Sequence, residues 1–190
     1  MAPRPDVPDV LQAAARGVTL TVPTRCGALV RLSGACGCGG QNEAMTGDGT
    51  AREGPFWDIV EGRAPRPSAA VTLGFELVAV DPDAGTIITS FMVGDAFLNP
   101  VGTVQGGFLA AMLDDTMGPA LVATLTPGQF APTLDLHVQF LRPARPGRFV
   151  GHGRIVRRGR DVAFLTGELR DGSGEVVAVS TATAQIRALR

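Results

Sequence analysis

Apolar and polar positions change rhythm along this chain, and the changes divide it into elements. From Gly54 onward, FWDIVEG has helical spacing and PRPSA reads as an extended, proline-set connector. VTLGFELVAV and GTIITSFMV have the β-branched character of strands, joined at the turn Asp81-Pro82-Asp83-Ala84-Gly85. A run of helix formers from Phe108 to Leu121, interrupted only by Gly118 and Pro119, then predicts one long apolar helix that starts at Gly106 and Gly107. Past the stop at Thr126-Pro127-Gly128, four strand candidates follow: Pro132 to Phe140, Arg148 to Arg157, Asp161 to Arg170 and Glu175 to Ile186. Their turns are Ala144 to Gly147, Arg158 to Arg160, and Asp171-Gly172-Ser173-Gly174, the last a hairpin signal. Two strands, one helix and four strands with short connections predict an α+β domain of one antiparallel sheet and a central helix; that the sheet wraps around the helix does not follow from periodicity.

The start of the long helix concentrates polar chemistry. The segment NPVGTVQGGFLAAMLDD sets Asn99, the pair Gly106 and Gly107, and Asp114 around one helix N-terminus. The free N–H groups and the positive end of the macrodipole there suit an oxyanion. Counting at helical spacing from Asp114 gives Ala111, Ala110 and Gly107 in one direction and Gly118 in the other, so the carboxylate stands in a lane of small side chains. Gly106 and Asp114 are eight positions apart, about 12 Å along one helix axis, which is too far for one carbonyl to touch both. Two antiparallel helices in a dimer would bring one subunit's Gly106 near the other's Asp114.

The same segment resembles the hotdog-fold acyl-CoA thioesterases of the phenylacetate-degradation (PaaI-like) type, with their pattern N-x-x-G-x-x-H-G-G followed by a helical Asp. Asn99, Gly102, Gly106, Gly107 and Asp114 fall in register with it, and the likeness continues through GPFWDIVEG, LGFELVAVDPDAGTIITSFMV and TLDLHVQFLRPARPG. Gln105 stands where the family usually has His. The resemblance implies a hotdog fold, hydrolysis of acyl-CoA to acid and CoA, no cofactor, and homodimers or homotetramers with composite sites. On this reading Gly106 N–H polarises the thioester carbonyl and Asp114 acts as general base or as nucleophile. Asn99 orients water or the carbonyl, Thr133 matches a Ser/Thr position that holds the water, and Gln105 bears on substrate positioning. Gly107 at the helix start and the arginines Arg157, Arg158 and Arg160 are expected to bind substrate, with Arg142 and Arg145 as the other cluster able to meet CoA phosphates.

Composition narrows the alternatives. The 190 residues are 45% hydrophobic, enough for one core, and 18 acidic against 17 basic residues leave no field for nucleic acid. Every basic residue is Arg; Lys and Tyr are absent. Residues 1–44 hold all three cysteines, Cys26, Cys36 and Cys38, in a Gly-rich context without sustained periodicity. They read as a disordered extension before a domain over residues 45–190. One C-x-C and a distant Cys supply too few ligands for a tetrahedral metal site. No clean signal core and no run of about 20 apolar residues points to secretion or a membrane, so the expectation is cytoplasmic.

Each residue also has a structural alternative. The glycine pair serves close packing equally well in principle, Asp115 competes with Asp114, and Asn99 before Pro100 is a turn former. His137 and His152 lie on strands without an acidic partner in register and read as structural. Phe91, Phe97, Phe108 and Met112 fit either an aromatic or medium-chain acyl pocket or the core. Neither His lies in or next to the glycine-helix segment, which disfavours a hydratase, whereas Gln105 keeps a non-catalytic acyl-CoA-binding module in view.

Overall fold

A computed structural model describes residues 53–189. The expected extension, with its three cysteines, lies outside the described residues. Pro55–Val60 forms α1, and its Trp57 is buried. Proline at the first helical position is pre-set for that start. Ser68–Thr72 forms a second short helix, α2, where the sequence reading has a connector running into a strand. Here Gly74 ends the turn with φ +65°, and a Cβ on it would lie 2.8 Å from the Met92 carbonyl oxygen. Only glycine combines that left-handed backbone with so close an approach to the neighbouring strand. Strand β1, Phe75–Asp81, therefore begins later than expected, and it pairs antiparallel with β2, Thr86–Val93.

The long helix α3 spans Gly106–Val122 and continues through Gly118 and Pro119. After it come β3 (Gln129–Phe130), β4 (Thr133–Phe140), β5 (Gly147–Arg158), β6 (Val162–Arg170), β7 (Val176–Gln185) and β8 (Arg187–Ala188). Six strands form one antiparallel sheet in the order β1-β2-β5-β6-β7-β4, and β3 pairs with β8 as a small separate ribbon. The ribbon and a 3-10 turn at Asp95–Phe97 are too short for a periodic signal.

The helix buries Leu109, Met112, Leu113, Thr116, Met117, Ala120 and Leu121, the i, i+3, i+4 stripe of a helix lying on a sheet. Beneath it β5 and β6 carry glycine where side chains would stand. A Cβ at Gly151 would collide with Thr116 Oγ1, one at Gly153 would lie 2.9 Å from the Thr116 carbonyl oxygen, and one at Gly167 would lie 2.9 Å from Met117 Cγ. The helix thus sits directly on strand backbone. At the contact Thr116 Oγ1 and Thr89 Oγ1 share a buried 2.8 Å hydrogen bond, and Thr116 Oγ1 also donates to the Met112 carbonyl at 2.7 Å. Phe91 and Met112 are fully buried in the core here, as their packing alternative has it. Phe97 and Phe108 stack edge to face at 4.5 Å on the flank of the same cluster.

Candidate active site

Asn99 builds the approach to the helix. Its Oδ1 accepts hydrogen bonds from the N–H groups of Val101 and Thr103, both at 3.1 Å, and its Nδ2 donates to Thr103 Oγ1 at 2.8 Å. The amide is thus tied into its own turn, completed by Gly102 at φ +78°. The next anchor is Val104, whose N–H reaches the Ala144 carbonyl at 2.8 Å. Gln105, the residue before the helix, has an extended backbone, an exposed side chain that does not cap the helix, and an N–H bonded to the Phe97 carbonyl at 2.8 Å.

Gly106 is the first helical residue, so its N–H has no acceptor within the helix. A Cβ at Gly106 would lie 3.0 Å from Phe140 Cζ, whereas one at Gly107 would meet nothing within 4 Å. The two glycines therefore differ: the first is pressed by an aromatic ring and the second faces open space. A groove of about 380 Å³ opens at this helix end, lined by Thr103, Val104, Gly106, Leu109 and the segment from Phe140 to Ala144. Its cation is Arg142, which holds Glu175 at 2.6 Å.

Two turns along the helix, Asp114 is half-buried, and Thr133 Oγ1 at the start of β4 donates to its Oδ1 at 2.9 Å. Asp114 is not among the residues lining the groove at Gly106. Asp115 differs in kind: its Oδ2 is buried with no hydrogen-bond partner, and burial, followed by the charge of Asp114, raises its pKa above the usual carboxylate range. The structure thus brings Asp114 together with Thr133, and Gly106 with the groove, at two separate places on one chain.

The remaining candidates lie elsewhere. Arg158 donates from Nη1 to the Thr124 carbonyl at 2.8 Å, beyond the opposite end of α3 from Gly106. Arg160 pairs with its neighbour Asp161, and Arg157 is exposed near the end of β5. Within one chain these arginines do not reach the groove. His152 alternates with Gly151 and Gly153 and so faces away from the helix; against the expectation of no acidic partner in register, it stands directly opposite Glu168. Burial depresses its pKa, against the opposing pull of Glu168, and its Nε2 is buried without a hydrogen bond. His137 is exposed on β4. Arg142, one of the two arginines of the second cluster expected to meet CoA phosphates, lines the groove; Phe140 and Leu141 were not singled out by spacing, and the only sequence cue is the apolar pair that ends the strand before Pro143.

The fold and this segment have known counterparts. Residues 101–178 match the family model of the thioesterase superfamily. A phenylacetic acid degradation-related protein of Ralstonia eutropha JMP134, known from its crystal structure, is 47% identical; the match covers 68% of this chain and 98% of that one, with a TM-score of 0.67. Human acyl-coenzyme A thioesterase 13 is 25% identical over 105 residues, 54% of this chain and 74% of that protein. The Escherichia coli PaaI protein shares the fold at 18% identity, with a TM-score of 0.62 over 71% of this chain and 94% of its own. The chain belongs to the thioesterase superfamily, and its antiparallel sheet packed on one long helix is the hotdog fold.

Proposed function

We propose that this protein hydrolyses acyl-CoA thioesters with aromatic or medium-chain acyl groups, at sites formed between two antiparallel subunits. The observation that carries this reading is the carboxylate of Asp114, half-buried and held by Thr133. With Oδ1 occupied by that hydroxyl, Oδ2 is left to take a proton from water, the arrangement of a general base. Water then adds to the thioester carbonyl, the tetrahedral oxyanion rests on Gly106 N–H, and collapse breaks the C–S bond. CoA leaves as its thiol with the proton carried by Asp114. Asn99 serves through the turn it ties rather than on the substrate.

Two features support a shared site. Gly106 and Asp114 lie about 12 Å apart along one helix, so one chain offers each thioester half of what it needs. Strand β4 is a sheet edge with exposed Leu134, the kind of unpaired edge that a second copy covers. Antiparallel helices also bring the arginines of one subunit toward its partner's thioester site: the end of α3 at Val122 lies eight residues, or about 12 Å, beyond Asp114, and Thr124, gripped by Arg158, follows it. That span suits the pantetheine arm, with Arg157, Arg158 and Arg160 at the phosphates.

The test is thiol release from a panel of aromatic and aliphatic acyl-CoAs by the wild type and by Asp114→Asn. The wild type should turn over at least one class, and Asp114→Asn should lose roughly a hundredfold or more at unchanged melting temperature. Binding of acyl-CoA without any release by the wild type would instead favour a binding module, the reading that Gln105 in place of His keeps open.

A further inference from the structure

We propose that Phe140 determines acyl-chain selectivity, its ring forming the movable end wall of the acyl groove where the groove meets Gly106. This rests on the reading of Gly106 as the oxyanion donor of a thioesterase. The ring is aimed tip-first at the start of the helix: a Cβ on Gly106 would lie 3.0 Å from Cζ, 3.2 Å from Cε2 and 3.4 Å from Cε1. Glycine at this position therefore has a steric reason besides its N–H, because a side chain would crowd the ring and make it give way. The ring in turn covers one side of the helix N-terminus and keeps water off it, which strengthens a hydrogen bond to a developing oxyanion.

The anchor and the ring behave differently. The Phe140 backbone is fixed in register with Ala178 of β7, and the chain continues with Leu141 N–H bonded to the Val177 carbonyl at 2.9 Å. The side chain itself is 53% exposed, so it is supported on one face only and can swing without opening the core. The groove it lines is mostly apolar, with Val104, Leu109, Leu141, Pro143 and Ala144 among its walls. Thr103 and Arg142 are the polar members, and the arginine is engaged by Glu175. Such a lining suits a hydrocarbon acyl chain and leaves the two amides of a pantetheine arm without partners. With its carbonyl at Gly106, the acyl chain runs along the ring, and the ring's position sets how many methylenes fit.

The experiment uses the full chain and measures kcat/KM for straight-chain acyl-CoAs from butanoyl to hexadecanoyl in wild type, Phe140→Leu and Phe140→Ala, with melting temperature and oligomeric state recorded for each. Removing the ring should move the optimum to longer chains, with Phe140→Leu intermediate. The long-to-short ratio of kcat/KM should rise at least about tenfold in Phe140→Ala, the scale on which an apolar pocket discriminates methylenes. Melting temperature and oligomeric state should hold. An active wild type whose variants change every substrate by one common factor, or change none, overturns the role of Phe140 while leaving the thioesterase reading intact. A uniform loss that accompanies dissociation of the oligomer would make Phe140 an interface residue and overturns the proposal equally. Silence of the wild type on every thioester overturns the functional reading itself, and this proposal with it.

Discussion

Subunits crippled at opposite ends of the helix should rescue each other if the catalytic site is shared. One partner is Asp114→Asn, which keeps the volume but cannot accept a proton. The other is Gly106→Pro, which removes the N–H donor. The backbone tolerates this second change: position 106 is the first of the helix, where proline is favoured, and Gln105 before it is already extended at φ −61° and ψ 130°. The added ring meets the tip of Phe140, the far end of a half-exposed side chain that can give way. Loss of an oxyanion donor costs roughly a hundred- to a thousandfold in kcat, and loss of a general base roughly a hundred- to ten-thousandfold, so each parent homodimer should retain about 1% or less. Random mixing at equal amounts makes about half of all dimers mixed, and each mixed dimer has one site with both groups intact and one with both missing. Thiol release should therefore return to about a quarter of the wild-type rate per subunit, well above either parent. Native mass spectrometry after subunit exchange verifies that mixed dimers form. Mixed dimers that are present, folded and no more active than their parents would falsify the shared site.

Two further outcomes follow from the core and from the carboxylate pair. Gly151→Ala should destabilise the fold by about 2–4 kcal/mol in thermal or denaturant unfolding, because its Cβ collides with the bonded hydroxyls of Thr89 and Thr116. Gly172→Ala, whose Cβ would lie 3.6 Å from the Arg148 carbonyl oxygen, should be nearly silent. Asp115→Asn should leave turnover almost unchanged and raise the melting temperature at pH 7. The sign comes from the raised folded-state pKa: as pH climbs past the ordinary value of 3.8 the unfolded chain ionises first, and stability is lost until the folded carboxyl ionises too. The benefit of the substitution should therefore vanish below that pH, and a benefit that persists in acid would disprove this origin.

Much of the architecture could be read from periodicity. The helix from Gly106 was visible because helix formers run from Phe108 to Leu121 with only Gly118 and Pro119 between them, and the hairpin at Asp171 because Asp-Gly-Ser-Gly admits little else. The helix at Ser68–Thr72 was not, since Val71 and Thr72 favour strand locally and the deciding fact, Gly74 pressed against the Met92 carbonyl, is a tertiary contact. In the candidate site, Asp114 and Gly106 stood out by spacing and resemblance, and Asn99 before Pro100 already carried the turn-forming alternative that its hydrogen bonds now fulfil. Phe140 could not be read, because nothing local in a strand end shows which helix its ring will touch. Nor could the grip of Arg158 on Thr124, which depends on how β5 crosses the end of the helix.

The glycines under α3 also bear on how such a protein diversifies. A surface made of side chains can be retuned one substitution at a time, with neighbours repacking around each change. At Gly151, Gly153 and Gly167 there is no side chain to trim, and anything added strikes the helix or its neighbours. Mutational drift is therefore constrained from shifting the rod that carries Gly106 and Asp114. The rim from Phe140 to Ala144 is under no such constraint at its exposed positions, since it meets the helix start from the side and looks onto the groove. New substrate ranges should accumulate as changes in that short rim, on a seat that does not move.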